Sequence, residues 1–232
     1  MRAPSLSVIV PVLNESELVS PFLEHVRTIA PQAELIVVDG GSSDGTPDLA
    51  AGFCDRLLRT QRGRAKQMNA GAASALGEVF WFLHVDSQLP RDAIEAIERC
   101  LTNPEIAGGC FRLEMPRREL TYRVTDALGN FGVDLFRIAL GDHGIFCRRS
   151  AFDKIGGYPD VPILEDAELY RNLGKVGDVK QLKPAIRTSA RSFERVGRYR
   201  TTTTYAAILA LYVVGVPIPL LHKVYLRLHR RG

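Results

Sequence analysis

Cysteine is scarce and scattered. The four in 232 residues (Cys54, Cys100, Cys110 and Cys147) form no Cys-x-x-Cys pair. That leaves neither a zinc site nor a disulfide framework, and fits buried, reduced thiols in a cytoplasmic protein. Long apolar runs are missing as well. Leu6–Leu13 is short, contains Pro11 and runs into Asn14 and Glu15, so it reads as a buried strand and not as a secretion leader. No Gly-x-Gly-x-x-Gly follows that strand. Pro11-Val12-Leu13-Asn14-Glu15 stands in its place, which argues against a dinucleotide-dependent dehydrogenase. Acids are absent after Glu194, whereas seven bases follow it: Arg195, Arg198, Arg200, Lys223, Arg227, Arg230 and Arg231. The net charge of +4 therefore comes from the tail, and residues 1–194 carry −3. A mildly acidic body argues against nucleic acid as a partner. A basic tail suits phosphates or an anionic membrane surface.

What is present is the composition of one globular domain, 46% hydrophobic and 24% charged. The first hundred residues alternate strand-like and helix-like segments. Strands are expected at Leu6–Val12, Leu35–Val38, Arg56–Arg59 and Val79–Leu83, and helices at Ser16–Ile29, Arg64–Ala75 and Arg91–Leu101. Repeated β-α-β units imply a mostly parallel sheet flanked by helices. The second half is less regular. It is read as a strand at Ala107–Glu114, a helix at Thr121–Leu140, a short strand at Ile145–Arg148, and helices at Ser150–Ile155 and Glu165–Leu173.

Ligands of open parallel sheets bind at the carboxyl ends of the strands. Asn14, Asp39 and Asp86 each follow a predicted strand, so they should line one edge. Asp39 can accept from a base or ribose, and the small residues after it, Gly41 and Ser42 among them, let a ligand approach the backbone. In Gly63-Arg64-Ala65-Lys66-Gln67-Met68-Asn69-Ala70-Gly71, bases at a helix start can complement a diphosphate. Asp86, in Phe82-Leu83-His84-Val85-Asp86-Ser87, is placed to bind Mg or Mn bridging donor phosphates. Glu165 and Asp166 stand at a helix start, where one can serve as general base. Gly156-Gly157 and Gly141-Asp142-His143-Gly144 could shape the acceptor side. Each segment also has a plainer reading as a cap, a turn or a solvated face.

Taken in order, these segments resemble the family 2 glycosyltransferases, which have the A-type nucleotide-diphospho-sugar fold. The resemblance covers about Ser5 to Arg195. It implies a nucleoside loop from Pro11, Asn14 and Glu15, and a base or ribose contact from Asp39. It implies a diphosphate contact from Arg64 or Lys66, with Asn69 on the same helix, and a metal on Asp86. Asp166 would be the catalytic base, supported by Glu165. It also implies inversion at the anomeric carbon. His84 stands where the family usually has an acid, and Arg191 is the nearest match to the family's later basic-aromatic motif. His84-Val85-Asp86 together with Gly141-Asp142-His143-Gly144 is similar to a bacterial subgroup labelled arsenosugar-biosynthesis glycosyltransferases.

The expected organisation is a catalytic domain over 1–194 (nucleotide half about 1–103, acceptor half about 104–194) and a basic, apolar helical tail over 195–232. Tyr205–Leu221 is uncharged but broken by Gly215, Pro217 and Pro219, and is shorter than the ~20 residues of a membrane span. Two readings of the tail stand. It packs on its own domain or on a second copy in a homodimer. Alternatively, it attaches the protein to the inner face of the cell membrane, which would suit a lipid-linked acceptor. The expected donor is a nucleotide-diphosphate sugar. The rival functions are a non-catalytic nucleotide-sugar-binding protein and a nucleotidyltransferase.

Overall fold

The computed structural model describes residues 5–117, 119–189 and 197–229. The first half runs β1 (Leu6–Val12), α1 (Val19–Ile29), β2 (Glu34–Asp39), α2 (Thr46–Ala51), β3 (Arg56–Arg59), α3 (Arg64–Ser74), β4 (Val79–Phe82) and α4 (Ala93–Cys100). Next come β5 (Ile106–Glu114), α5 (Leu120–Phe136), a 3-10 turn (Gly141–His143), β6 (Phe146–Arg148), α6 (Arg149–Ile155), α7 (Glu165–Leu173) and β7 (Asp178–Arg187). Two tail helices close the chain, α8 (Arg198–Val213) and α9 (Ile218–His229).

The strands form one sheet in the order β3-β2-β1-β4-β6-β5-β7. β1 pairs in parallel with β2 and with β4, β2 with β3, and β5 with β7, while β6 is antiparallel to both its neighbours. The α/β alternation of the sequence is thus realised as a mostly parallel sheet. Alternate strand residues feed two apolar layers. Val8, Val10, Leu35, Val37 and Trp81 face one side with α1 and α4. Ile9, Ile36, Val38, Phe80 and Phe82 face the other with Met68, Phe152 and Tyr170. Burial on both faces is why these strands read as unbroken apolar runs. The chain leaves β1 in one direction for β2 and β3 and returns on its other side as β4. This makes a switch point whose crevice opens at the carboxyl ends.

Three expectations need correction. The helix expected to reach Leu140 stops at Phe136, because Arg137 takes a left-handed conformation (φ 54°) and the chain then turns through Gly141–His143. The run read as broken at Pro219 is helical again from Ile218, with Pro219 in the first turn of that helix, where a missing amide costs no helical bond. Strand β7 was not anticipated. It lies at the sheet edge, its apolar and polar residues do not alternate cleanly, and Pro184 interrupts it. The register beside β5 shifts between Phe111 and Arg112, so Lys183 and Pro184 fall in an irregularity of the edge strand.

Candidate active site

The loops after β1 and β2 brace one another. Asn14 adopts φ 54°. Its amide donates to Ser42 Oγ at 2.9 Å, and its Oδ1 accepts from the Ser43 amide at 2.9 Å. The Glu15 amide donates to Thr46 Oγ1 at 2.8 Å. Asp39 is buried, and its carboxylate accepts the Gly41 and Ser42 amides at 3.1 and 3.0 Å, with Arg59 Nε 3.5 Å away. Gln67, not singled out from the sequence, lies beneath both loops. Its Nε2 donates to the carbonyls of Val12 at 2.9 Å and Val38 at 2.8 Å, at the carboxyl ends of β1 and β2. Asn14, Asp39, Gly41 and Ser42 therefore form the frame of the rim, and none of them lines the cleft beside it.

A second brace joins α3 to the loop after α6. Asn69 Nδ2 donates to the Tyr158 carbonyl at 2.9 Å, and the Tyr158 amide donates back to Asn69 Oδ1 at 2.8 Å. Gly156 and Gly157 both take positive φ, and a Cβ on Gly157 would lie 2.6 Å from Asn69 Oδ1. The glycine pair ends α6 and lets the chain turn against Asn69. Asn69, Gly156 and Gly157 do not line the cleft either.

The remaining expected residues do converge. A cleft of about 1110 Å³ is lined by Pro11, Glu15, Arg64, Lys66, His84, Asp86, Asp142, Glu165 and Asp166, drawn from the ends of β1 and β4, the start of α3, the 3-10 turn and the start of α7. Arg191 lies outside the described residues. Leu164, just before α7, sits in the left-handed region at φ 62°, a strained state for a branched side chain, and Glu165 and Asp166 after it are buried. Gly141 explains why the 3-10 turn is tight here. A Cβ on it would fall 2.2 Å from His84 Nε2 and 2.8 Å from Asp166 Oδ2.

Electrostatics separates these groups. Burial, then the neighbouring charge of Glu165, pushes Asp166 up to about 7, against the opposing pull of Arg64. Burial and the charge of Asp86 push Asp142 up to about 6. His84 is driven down to about 3 by burial and by Arg64, so it is a neutral imidazole. Desolvation works against the charge on Arg64, but Asp166, Glu165 and Asp142 outweigh it and hold the guanidinium charged; its Nη1 is 3.9 Å from Glu165 Oε1. Two buried polar atoms around this floor have no hydrogen-bond partner in the structure, His84 Nε2 and His143 Nε2, while the Tyr158 hydroxyl faces the Asp166 carboxyl. Burial and Asp166 keep Tyr158 protonated. Buried polar atoms left unpaired at one place cost stability and mark a site built for a polar ligand or water.

The tail supplies the opposite wall. Ile208, Tyr212 and Leu221 pack with Ile138 and Ala167, so the described tail folds back on its own domain, and Tyr205, Ile208, Leu209, His222 and Tyr225 line the cleft. No sequence pattern pointed to these residues as site residues. Among the described residues no helix is long and apolar enough to cross a membrane.

Solved structures share this architecture. A mannosyltransferase from Pyrobaculum calidifontis, in complex with GDP-Man and Mn2+, superposes with a TM-score of 0.69 over 97% of this chain and 70% of its own, at 20% identity. A glucosyl-3-phosphoglycerate synthase from Mycobacterium tuberculosis, in complex with Mn2+, uridine-diphosphate and glucosyl-3-phosphoglycerate, gives 0.66 over 92% of this chain and 81% of its own, at 18% identity. The fold is therefore the A-type glycosyltransferase fold. Residues 7–155 match the model of glycosyl transferase family 2, and the chain belongs to that family. A PGL/p-HBAD biosynthesis glycosyltransferase from Mycobacterium bovis is 31% identical over 169 residues. That match covers 68% of this chain and 64% of the relative, so the chain spans less than two thirds of its length.

Proposed function

We propose that this protein transfers a sugar from a nucleotide-diphosphate donor to an acceptor hydroxyl, with inversion at the anomeric carbon. One observation carries the reading. Arg64, Asp86, Asp142 and Asp166 converge on a single cleft at the carboxyl edge of the sheet, and Asp166 titrates near neutrality. A carboxylate with that proton affinity is suited to general base work at pH 7. Arg64 and Lys66 stand at the start of α3, where the first-turn amides have no intrahelical acceptor, so the diphosphate is assigned there. Asp166 takes the proton of the acceptor hydroxyl as that oxygen attacks the anomeric carbon. The bond from that carbon to the diphosphate oxygen breaks, and its electron pair leaves with the nucleoside diphosphate.

Among the described residues no three His, Cys, Asp or Glu side chains are grouped to hold a metal by themselves. Asp86 and Asp142 do concentrate negative charge at one point. Mg2+ and Mn2+ ordinarily complete their shells with phosphate oxygens and water, so two carboxylates and a donor diphosphate fit such an ion. Asp86 and Asp142 would hold it, and when bound it would offset charge on the leaving diphosphate. Both solved relatives named above are complexes with Mn2+, which supports the reading.

The test is a panel of nucleotide-diphosphate sugars with and without Mn2+ or Mg2+, followed by thermal shift and by release of nucleoside diphosphate. A native-state ligand at a hundredfold excess over Kd stabilises by about 2.7 kcal/mol. A metal-dependent shift with one donor, lost in Asp86→Ala, supports the assignment. A shift independent of metal removes Asp86 as a ligand. Binding without turnover makes the chain a nucleotide-sugar-binding protein, and pyrophosphate release from a nucleoside triphosphate makes it a nucleotidyltransferase.

A further inference from the structure

Helix α5 leaves an apolar stripe uncovered. Leu120, Val124, Leu128, Phe131 and Leu135 recur at spacings of three and four, so they lie on one face of the helix, and all are exposed, with Phe131 at 56% and Leu135 at 58%. A contiguous patch of this kind is unusual on a surface that faces only water. The stripe is also continuous with the cleft. Leu128 is 42% exposed and lines the cleft as well, as do Thr125 and Gly129. Behind Leu128 the cleft wall is apolar, formed by Leu113 and Met115 on one side and Ile208 and Leu209 from the tail on the other.

The charges around the stripe set what can cover it. Arg117 and Arg123 are exposed at its amino-terminal end, and Glu119 and Asp134 are the exposed acids on the same segment. Helix α8 packs beside α5, with Thr125 and Thr202 hydroxyls 3.2 Å apart. α8 and α9 add Lys223 and Arg227 to the exposed surface and carry no acid at all. With Arg137 also exposed at the carboxyl end of α5, the segment carries three exposed bases, Arg117, Arg123 and Arg137, against Glu119 and Asp134, and an apolar helical face with that charge balance matches the interface of an anionic bilayer. A second copy seated there would cover Leu128 and the apolar mouth of the cleft, whereas a lipid surface would feed it.

We infer that the exposed face of α5 docks on an anionic lipid bilayer, and that the acceptor hydroxyl belongs to an amphiphile entering the cleft past Leu128. The acceptor half of this inference rests on the transferase reading above; the docking surface does not. The test uses the full chain and vesicles of phosphatidylcholine with phosphatidylglycerol. Sedimentation with the vesicles is compared for wild type and the double variant Phe131→Asp/Leu135→Asp, neither residue being part of the cleft. The expected result is wild-type binding that weakens roughly tenfold or more in the variant, since two apolar side chains no longer bury. Wild type remaining in the supernatant, or equal binding by the variant, overturns the inference. So does a lipid-independent dimer that the variant dissociates, which would assign the face to a second copy. Donor-induced thermal shift is measured on both proteins. If the shift is present while vesicle binding fails, this inference falls and the transferase reading stands. If vesicle binding occurs with no donor shift in wild type, the transferase reading and the acceptor assignment fall together.

Discussion

The rim and the floor of the cleft are built on opposite terms. At the rim, the polar side chains after β1 and β2 satisfy one another. Asn14 bonds Ser43, Asp39 bonds Gly41 and Ser42, and Gln67 bonds the carbonyls of both strand ends. At the floor, His84 Nε2 and His143 Nε2 are left without partners, and two carboxyls are pushed towards neutrality. A satisfied network is stiff and holds loops in place. An unsatisfied one costs folding energy and is tolerated where a ligand completes it. Residue types that look equally functional in the sequence therefore divide into a hydrogen-bonded frame and a cleft floor whose polar groups are not all paired.

Removing the proposed base, Asp166, should produce the largest effect. Asp166→Asn is expected to lower transfer by about 10²–10⁴-fold, in line with general base catalysis, while the donor-induced thermal shift persists. In wild type, kcat/KM should rise with pH through about 7 as Asp166 loses its proton. The same shift predicts a stability effect. The folded protein holds that proton more tightly than the unfolded chain, so the favourable contribution is complete below about pH 4 and is lost as pH rises through about 7. Asp166→Asn should therefore melt higher than wild type at pH 8 and close to it at pH 4. If the variant keeps wild-type turnover, or the pH profile is flat across neutrality, Asp166 is not the base.

The floor can also be overfilled. Gly141→Ala places a methyl 2.2 Å from His84 Nε2 and 2.8 Å from Asp166 Oδ2, and both side chains are held in the packed floor. A cost of about 1–3 kcal/mol is expected from overpacking, with a larger loss in kcat than in donor affinity. Unchanged kinetics would mean that His84 and Asp166 move apart freely.

At the rim the signature should reverse. Gln67→Leu leaves the Val12 and Val38 carbonyls without their side-chain donor, which costs about 1–3 kcal/mol in stability. It should weaken donor binding with kcat nearly intact. A kcat defect with normal donor affinity would erase the distinction between rim and floor.

Much of the fold was legible because parallel β-α-β units leave a strong signature. Strands buried on both faces read as Val- and Ile-rich runs, and β1 appears at the expected Leu6–Val12. Helix α7 also begins and ends where expected, at Glu165 and Leu173. Strand β7 was missed because an edge strand with mixed burial and an internal proline has no such pattern. Among the candidate residues, Arg64, His84, Asp86, Asp142 and Asp166 share the cleft, since each follows a strand or starts a helix on the same edge. Asn69 and Gly157 signalled their importance by type, yet their partnership spans 88 positions and exists only in the folded chain.

By itself, the sequence determined the alternation of elements, the acidic strand ends and the charge asymmetry of the tail, because periodicity and charge are local properties. Tertiary structure decided which acids stay ionised, which polar groups serve as frame, and that the tail supplies a wall of the cleft. Proton affinity depends on burial and on neighbours distant in sequence, and Asp166 is set by Glu165, Arg64, Tyr158 and Asp142 only once the sheet has brought them together.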